Sequence, residues 1–404
     1  MHLSRRTWAL GALATAACGS SDSGQEAGAT AQTAPPSSLP RWVIDLHCDT
    51  PMRIAREGFD LGKQNDYGQV DIPRMRQGGV TGLFFSVYTP AARGETPDAV
   101  QRALEIMDAI RRETALHPDD LVLSDSVLDM ERAREAGQMS ILMGVEGGHM
   151  INSSLPVLRT LYELGGRYMT LTHTKHTPWA GSSGDTPADD PGLTVFGREV
   201  VAEMNRLGMM VDVSHISDKT FWDVMGATSV PVIASHSSCR AISDHPRNMT
   251  DEMIQRVAEG GGVVHINYYN GFLSGEYRAK SAEAESFDRE LKAARERLGG
   301  NLKELALEEY RINLSKVETV GRVPFDVLLD HFEHAVKVGG VEHVGLGSDF
   351  DGVDEALPEG VEDVSKIPYL AEGLRSRGLS SDDVDKILGA NTVRVMRDVE
   401  AASA

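Results

Sequence analysis

The residues best suited to chemistry are histidines and carboxylates that end short apolar runs of the sequence. His47 and Asp49 end a run that begins at Val43 and has the composition of a β-strand. Side chains two residues apart on a strand point to the same side, so this imidazole and this carboxylate would leave the strand end together. Such a pair can supply half of a metal site, and other parts of the chain must supply the rest.

Ligand candidates of the same kinds follow three later apolar runs. Glu146 follows the run 141–145, His215 follows the run 209–213, and His236 follows the run 232–235. Histidine nitrogens and carboxylate oxygens without thiolates suit zinc or a similar first-row ion. Five ligands are too many for one tetrahedral ion, but they suit two ions about 3.5–4 Å apart that share a carboxylate. Glu146 is the predicted bridge because its strand lies between the other ligand-bearing ends.

These five residues end four of eight strand candidates, most of which are separated by amphipathic helical stretches. The strand candidates are the runs 43–47, 82–88, 141–145, 168–172, 209–213, 232–235, 262–266 and 344–347. This alternation predicts parallel β–α units, and eight of them predict an α/β fold of the (β/α)8 TIM barrel type. A doubly wound open sheet is the alternative, but it gives no reason for a metal-capable residue at nearly every strand end. In a barrel, all those ends converge on one face.

One segment, residues 276–314, falls outside this repeat. It is highly charged, rich in Ala, Glu, Lys, Arg and Leu, and broken at Gly299-Gly300. This composition predicts a helical hairpin inserted between strands 7 and 8. We expect it to be a solvated insertion at the edge of the barrel without a role in the chemistry.

Charge and cysteine content narrow the class of protein. The formal net charge is −20, without a cluster of Lys and Arg, which argues against nucleic acid and against an anionic lipid surface as partners. The three cysteines form neither a disulfide framework nor a Cys-x-x-Cys zinc site.

The first 40 residues have the composition of a targeting segment rather than of a folded domain. Residues 1–18 are predicted to be an export signal: Arg5-Arg6 precede an apolar run, 8–17, which is too short to span a bilayer. The small residues before Cys18 resemble a lipobox, in which the cysteine would become a lipid anchor to the membrane. An ordinary secretory signal with an incidental Cys18 is the alternative, and the Arg pair also resembles a twin-arginine signal. Residues 19–40 are predicted to be a flexible Ser/Gly/Ala/Pro tether, and 41–404 the (β/α)8 domain with the metal site, in an exported, periplasmic or extracytoplasmic bacterial protein.

Several short motifs are spread over residues 44–396. They are Asp45-Leu46-His47-Cys48-Asp49-Thr50, Val145-Glu146-Gly147-Gly148, Tyr168-Met169-Thr170-Leu171-Thr172-His173, Thr177-Pro178-Trp179, Asp212-Val213-Ser214-His215, Ser235-His236-Ser237-Ser238, Arg247-Asn248 and Gly347-Ser348-Asp349-Phe350-Asp351-Gly352. Together these motifs resemble the membrane dipeptidase (renal dipeptidase) family of zinc metallopeptidases. The resemblance implies a TIM barrel, two zinc ions per chain, a homodimer, and hydrolysis of dipeptides, including some with a C-terminal D-residue.

The resemblance also implies a role for each matching metal ligand. His47 and Asp49 would bind one zinc ion, His215 and His236 would bind the other, and Glu146 would bridge them. Cys48 departs from the family, in which a polar residue is common at this position. Because Cys48 alternates away from the ligand side of the strand, it should not disturb the site.

Three further residues match the family's substrate-handling positions. His173 would bind the substrate and stabilise the oxyanion, Arg247 would hold the C-terminal carboxylate, and Asp349 would transfer protons as a metal-bridging hydroxide attacks the peptide bond. A TIM-barrel metal amidohydrolase acting on a non-peptide amide or lactone is the alternative, although such enzymes usually open with His-x-His. A non-catalytic binding lipoprotein is a further alternative, but it would not need the proton carrier Asp349.

Overall fold

The computed structural model describes residues 42–403, in which parallel strands alternate with helices. The strands in this part of the chain are β1 (Ile44–Cys48), β2 (Gly82–Tyr88), β3 (Leu121–Leu123), β4 (Met139–Glu146), β5 (Gly166–Thr170), β6 (Met210–Asp212), β7 (Ile233–Ala234), β8 (Val263–Ile266) and β9 (Val344–Leu346). β1 pairs with β2 and β9, β2 pairs with β4, and β4 to β9 pair in sequence. Eight strands therefore close a parallel barrel, while β3 pairs only with the start of β4.

Helices follow most of the barrel strands. Over the described residues they are α1 (Thr50–Glu57), α2 (Ile72–Gly78), α3 (Pro97–Leu116), α4 (Val127–Glu135), α5 (Leu155–Glu163), α6 (Val195–Leu207), α7 (Asp218–Met225), α8 (Asp251–Glu259), α9 (Asn270–Leu273), α10 (Gly275–Ala282), α11 (Glu285–Leu298), α12 (Leu302–Val320), α13 (Phe325–Gly339), α14 (Ile367–Ser376), α15 (Ser381–Asp385) and α16 (Asn391–Ala401). A π-helical turn, Lys386–Ala390, joins the last two.

The predicted (β/α)8 TIM barrel is confirmed, because all eight strand candidates are strands of the closed ring. The barrel has two apolar layers. Side chains such as Ile44, Phe84 and Tyr168 pack inside the ring. A larger cluster, which includes Phe85 and Phe332, packs between the strands and the surrounding helices. The strand ends are therefore held by packing on both faces of the sheet.

The insertion between the seventh and eighth strands of the ring is helical, as predicted. Helices α11 and α12 form its hairpin and separate at Gly299 and Gly300. The expectation that it is merely solvated surface is wrong, because Leu291, Ala306 and Val317 are buried on its inner side. These side chains also line the cavity above the barrel, so the insertion forms part of the wall around any bound ligand. Charge composition did not reveal this because the exposed side of each helix carries most of the charge.

The predictions for residues 1–18 and 19–40 lie outside the described residues, so the export signal, the tether and the lipid anchor at Cys18 stay predictions. The homodimer stays a prediction as well. From residue 42 to residue 403, none of the helices combines the length and the apolar character that crossing a membrane requires.

A substitution at Gly144 of β4 tests the packing inside the barrel. A Cβ at Gly144 would overlap the ring of Tyr168, whereas a Cβ at Gly82 of β2 would meet its nearest atoms at an ordinary 3.5 Å. We expect Gly144→Ala to lower the free energy of unfolding by about 2 kcal/mol or more, because Tyr168 must move within a close-packed core. Denaturant-induced unfolding measures this change.

The matched control is Gly82→Ala, which adds the same methyl group to a neighbouring barrel strand. We expect it to change the free energy of unfolding by less than about 1 kcal/mol. Equal effects of the two substitutions would contradict the packing described inside the ring.

Candidate active site

A cavity of about 690 Å³ opens at the carboxyl ends of the barrel strands. Its floor includes most of the predicted site residues, namely Asp49, Glu146, His173, His215 and Asp349. Its outer wall comes from helix α1, from the loop after β9 and from the insertion, with side chains such as Arg53, Asp354, Leu291 and Tyr310. The barrel thus places the predicted chemistry at the base of a cavity that the insertion partly encloses.

Four histidine nitrogens surround a single oxygen of Glu146. The distances to Glu146 Oε1 are 3.3 Å from His215 Nε2, 3.4 Å from His47 Nε2, 3.6 Å from His236 Nε2 and 3.7 Å from His173 Nε2. Glu146 lies at the end of β4, and its side chain is almost fully buried. The structure therefore brings together ligand candidates that are up to 189 residues apart in the chain.

Asp49 and Asp349 extend this cluster on the His47 side. Asp49 Oδ2 lies 3.5 Å from His47 Nε2, and the donor atoms of His47, Asp49 and Asp349 lie within 4.8 Å of one another. On the other side, His215 Nε2 and His236 Nε2 face each other at 2.9 Å. All five predicted ligands therefore belong to one continuous group of donor atoms.

The arrangement fits bound metal ions. Bonds of about 2.0–2.1 Å to a tetrahedral ion place its ligand atoms roughly 3.3 Å apart, close to the spacings observed around Glu146. His47 Nε2 and Asp49 Oδ1 are buried without a hydrogen-bond partner. Buried polar atoms are rarely left unpaired in proteins, so these two atoms point to a ligand that satisfies them.

The donor atoms do not separate into the two predicted pairs. His47 and His236 stack with ring centres 3.8 Å apart, and both lie within one group with Glu146. A second group joins Glu146 with His215 and His173. Assignment of His47 and Asp49 to one ion, and of His215 and His236 to the other, therefore stays a prediction.

Irregular backbone aims several of these side chains. The register of β1 shifts between Asp45 and Cys48, which turns His47 toward the barrel axis while Cys48 remains in the outer apolar layer. His215 and Asp349 each have φ of +66°, a conformation that few residues other than glycine adopt. Strain of this kind is concentrated at functional sites, where the surrounding structure holds it in place.

Two side chains that the sequence did not single out orient the central ligands. The hydroxyl of Tyr168 lies 2.7 Å from His47 Nδ1, and Ser86 Oγ donates to Glu146 Oε2 at 2.9 Å. Hydrogen bonds to the far side of a ligand fix its ring or carboxylate and leave the near side for the metal. Tyr168 belongs to one of the quoted motifs, but neither that motif nor the inward alternation along β2 and β5 distinguishes these two residues from core residues.

Burial and the neighbouring charges set the protonation of the ligands. Burial raises the pKa of Glu146, but His47, His215 and His173 outweigh it and hold this pKa well below its usual range. Burial lowers the pKa of His215 and His236 well below the usual value, and nearby Arg247 lowers both further. A charged carboxylate and neutral imidazoles are the forms that bind metal.

His47 is the exception among the imidazoles. Burial lowers its pKa, yet Tyr168 and Glu146 outweigh this effect and raise the pKa well above the usual value. A raised pKa favours a proton on the His47 ring. A bound cation would take the place of this proton, since it balances the same negative charge near His47.

Asp349 has the environment of a proton-transfer group. Its Oδ2 accepts a hydrogen bond of 2.9 Å from Asn267 Nδ2, and burial raises its pKa to about 7, although His47 opposes the shift. A carboxyl group with a pKa near neutrality can both accept and release a proton. Gly352 provides the space, because a Cβ there would overlap one oxygen of Asp349 and one of Asp49.

The two predicted substrate-binding residues differ in position. His173 lines the cavity next to Tyr88, with ring centres 4.9 Å apart, and burial lowers its pKa. Arg247 is buried beside His236, to whose carbonyl oxygen its Nη2 donates at 3.0 Å. Its guanidinium lies against Phe272, which lines the large cavity, while Arg247 itself lines a separate cavity of about 20 Å³.

Comparisons with known proteins identify the family of this chain. Residues 40–404 match the sequence model of a family described as membrane dipeptidase (peptidase family M19). An uncharacterized dipeptidase of Schizosaccharomyces pombe is 34% identical over 380 residues, which are 89% of this chain and 80% of that protein.

Two solved structures are similar in fold. The probable dipeptidase PvdM of Pseudomonas aeruginosa has a TM-score of 0.76 and 24% identity, over 90% of this chain and 96% of that one. A metallopeptidase of Rhodobacter sphaeroides, solved with a phosphinate mimic of the dipeptide L-Ala-D-Ala, has a TM-score of 0.71 and 24% identity, over 89% of this chain and 100% of that one.

The raised pKa of Asp349 predicts how stability depends on pH in zinc-depleted protein. The folded-state pKa of about 7 exceeds the ordinary 3.8, so the folded state loses stability as the pH rises from 4 to 7 and Asp349 must ionise. We expect Asp349→Asn, which cannot ionise, to gain stability relative to the native chain over this window. The gain should reach the order of 4 kcal/mol at pH 8, and urea unfolding at pH 4 and pH 8 measures it.

Asp185→Asn serves as a control of opposite sign. Backbone N–H groups of His176 and Thr186 lower the pKa of Asp185 to about 2, so its ionised form stabilises the fold above about pH 4. This variant should lose stability at pH 8. A constant difference between Asp349→Asn and the native chain across the pH range would contradict the raised pKa.

Proposed function

This chain belongs to the membrane dipeptidase family of metallopeptidases, and from that premise we propose that it hydrolyses dipeptides with two zinc ions held around Glu146. The predictions of the family and of a hydrolase acting on peptide bonds are confirmed. The observation that supports the two-zinc proposal most strongly is the convergence of four histidine nitrogens, within 3.7 Å, on Glu146 Oε1. One ion could not use all of these donors together with Asp49.

The zinc ligands proposed are His47, Asp49, Glu146, His215 and His236. Zinc supplies positive charge that polarises a carbonyl group and that lowers the pKa of water enough to make it a nucleophile near neutral pH. The chain's own contribution is to hold these donors in fixed directions. Tyr168 and Ser86 do so for His47 and Glu146.

Asp349 and His173 are the proposed catalytic side chains. Asp349 would take a proton from the attacking water and pass it to the leaving amine, a task that suits a pKa near 7. His173 Nε2 lies 3.7 Å from Glu146 Oε1 and faces the cavity, where it can donate to the oxygen that gains negative charge. Its ring is held between Tyr88 and His215, with ring centres 4.9 Å and 4.3 Å away.

Arg247 is proposed to recognise the C-terminal carboxylate of the dipeptide. Burial lowers the pKa of Arg247 to about 10, yet this leaves the guanidinium charged at neutral pH. Its buried Nε has no hydrogen-bond partner, so it keeps donor capacity for a carboxylate. The Arg247 guanidinium carbon lies 5.2 Å from the centre of the Phe272 ring, and Phe272 lines the large cavity.

Acceptance of a C-terminal D-residue is part of the proposal. It draws on family membership and on the R. sphaeroides relative, which was solved with a mimic of L-Ala-D-Ala. A wide cavity of about 690 Å³ is compatible with both configurations at the C-terminal residue. The alternative of a barrel amidohydrolase for non-peptide bonds shares the fold and the metals, and the substrate test below separates it.

The proposed function predicts both metal content and activity. The purified chain should carry two zinc ions, measured by elemental mass spectrometry, and should release amino acids from a panel of L,L- and L,D-dipeptides. Glu146→Gln keeps the size of the side chain but removes its charge. We expect this variant to bind fewer zinc ions and to lose more than about 100-fold in kcat/KM, because even outer-shell partners of a metal are worth 10–100-fold.

Glu203→Gln is the matched control, since Glu203 forms surface ion pairs with Arg159 and Arg206. It should retain zinc content and turnover. Two bound zinc ions without hydrolysis of any dipeptide, together with turnover of a lactone or a cyclic amide, would favour the amidohydrolase alternative.

The proposed carboxylate contact predicts a substrate-dependent effect at Arg247. Arg247→Ala should lower kcat/KM for a dipeptide by about 100-fold, because charge-assisted hydrogen bonds contribute about 1.5–3 kcal/mol each. For the same dipeptide with an amidated C-terminus the loss should be less than about 5-fold. Parallel steady-state kinetics with the two substrates measure the difference.

Arg198→Ala provides the control, because Arg198 forms an exposed ion pair with Asp223. It should leave both substrates unaffected. Equal losses on the free and the amidated dipeptide would show that Arg247 supports the fold of the site rather than the substrate carboxylate.

A further inference from the structure

Two buried aspartates lie directly behind the donor cluster without lining the cavity. They are Asp45 in β1 and Asp212 at the end of β6, and both are at most 1% exposed. Charged side chains are rarely so fully buried unless their oxygens are paired. Their hydrogen bonds therefore indicate what they do.

Each aspartate joins two strand ends through backbone N–H groups. Asp45 Oδ1 accepts from His47 N at 3.2 Å and from Ser348 N at 3.0 Å. Asp212 Oδ1 accepts from Ser214 N at 3.0 Å and from Ser235 N at 2.8 Å. The two carboxylates thus make equivalent hydrogen bonds at two different pairs of strand ends.

The amides held by Asp212 precede two proposed zinc ligands. Ser214 comes directly before His215, whose φ is +66°, and Ser235 comes directly before His236. Two hydrogen bonds to one rigid carboxylate fix the spacing of these two strand ends. The 2.9 Å approach of the His215 and His236 Nε2 atoms depends on that spacing.

The second oxygen of Asp212 accepts hydrogen bonds from two hydroxyl groups, one of which lies next to a histidine. Asp212 Oδ2 accepts from Thr170 Oγ1 at 2.5 Å and from Ser235 Oγ at 2.6 Å. With two donors on each oxygen, the carboxylate of Asp212 is saturated as an acceptor. Because an ionised carboxylate can only accept, the Ser235 hydroxyl donates its single proton to Asp212 Oδ2 at 2.6 Å rather than to Ser214 Oγ at 3.4 Å.

The hydrogen bond from Ser235 to Asp212 determines which ring nitrogen of the neighbouring His236 carries a hydrogen. Ser235 Oγ lies 2.7 Å from His236 Nδ1. Because the hydroxyl proton already points to Asp212, Ser235 Oγ can only accept at this contact, and His236 Nδ1 must carry a hydrogen. In a neutral imidazole the other nitrogen, Nε2, then has a free lone pair directed at Glu146.

We propose that Asp212 is a positioning residue which, through Ser235, keeps the proton of neutral His236 on Nδ1 and so prepares Nε2 to bind metal. The inference rests on the proposed function, in which His236 is a zinc ligand. Asp212 touches neither substrate nor metal in this arrangement. Its effect passes through the chain Asp212–Ser235–His236, which is the general way outer-shell groups orient ligating histidines.

The most direct test needs no substitution and no metal. In zinc-depleted native protein labelled with ¹⁵N-histidine, long-range ¹H–¹⁵N spectra distinguish the Nδ1–H from the Nε2–H tautomer. We expect neutral His236 to be the Nδ1–H tautomer, with its signal assigned by its absence in His236→Gln. A neutral His236 with hydrogen on Nε2 would overturn the proposal, whether or not the protein is a zinc enzyme.

Substitutions test the chain of hydrogen bonds. In Asp212→Asn the amide oxygen can still accept from both backbone N–H groups, but the amide nitrogen donates toward Ser235, whose hydroxyl is then free to donate to His236 Nδ1. We expect the Nε2–H tautomer to become the main form, and zinc affinity, measured by competition with a chromogenic chelator, to fall by about 10–100-fold. Ser235→Ala should weaken zinc binding over the same range without breaking the backbone contacts of Asp212.

Two Asp→Asn controls separate this effect from a general loss of stability. Asp71 is buried, caps helix α2 and pairs with Arg74, so Asp71→Asn should lower stability and leave zinc affinity within about 3-fold of the native value. Asp45 accepts hydrogen bonds from two backbone N–H groups, as Asp212 does, but it is not linked to a histidine through a serine. Asp45→Asn should therefore weaken zinc binding less than Asp212→Asn.

The outcomes distinguish this inference from the proposed function. Native protein that binds zinc tightly, with Asp212→Asn and Ser235→Ala equal to it in affinity and tautomer, would overturn the role of Asp212 and leave the function intact. Native protein that binds no zinc would overturn the proposed function, while the tautomer of His236 would still decide the inference. If Asp212→Asn does not fold, Ser235→Ala and the native spectrum carry the test.

Discussion

The structure depends on one buried carboxylate, Glu146, and on the histidine nitrogens that converge on its Oε1. Removing a charged carboxylate from water costs several kcal/mol, and burial does not weaken the repulsion between imidazole nitrogens that lie close together. Either protons on the histidines or bound cations must balance this charge. The donor spacing, with His215 and His236 Nε2 only 2.9 Å apart, fits cations better, because a shared ion makes both contacts favourable.

The barrel meets this requirement by bringing strand ends together rather than by local sequence. Parallel strands place their carboxyl ends on one face, and a register shift in β1 with strained φ values at His215 and Asp349 adjusts the final directions. Behind the proposed ligands, the Tyr168 hydroxyl forms a hydrogen bond with His47 Nδ1, and Asp212 accepts one from the Ser235 hydroxyl, which lies 2.7 Å from His236 Nδ1. Above them, the helical insertion forms part of the wall of the cavity.

The sequence was sufficient to predict the barrel and the residues that meet at its face, because a polar residue at the end of nearly every apolar run is readable without long-range information. It could not predict which residues stand behind the ligands. Tyr168 reaches His47 across 121 residues, and its ring is indistinguishable in sequence from the core aromatics of the barrel. The inner face of the insertion was missed for a similar reason, since buried Leu291 and Val317 are sparse among charged neighbours. The division of ligands between two ions depends on side-chain directions that strand-end positions leave open.

The proposed function depends most on two zinc ions that lie on either side of Glu146. Anomalous diffraction from crystals of the zinc-loaded chain, collected above and below the zinc absorption edge, would locate them. We expect two anomalous peaks about 3.5–4 Å apart, both within bonding distance of the Glu146 carboxylate, with His215 and His236 at one of them. A single peak, or peaks that do not contact Glu146, would contradict the two-zinc proposal.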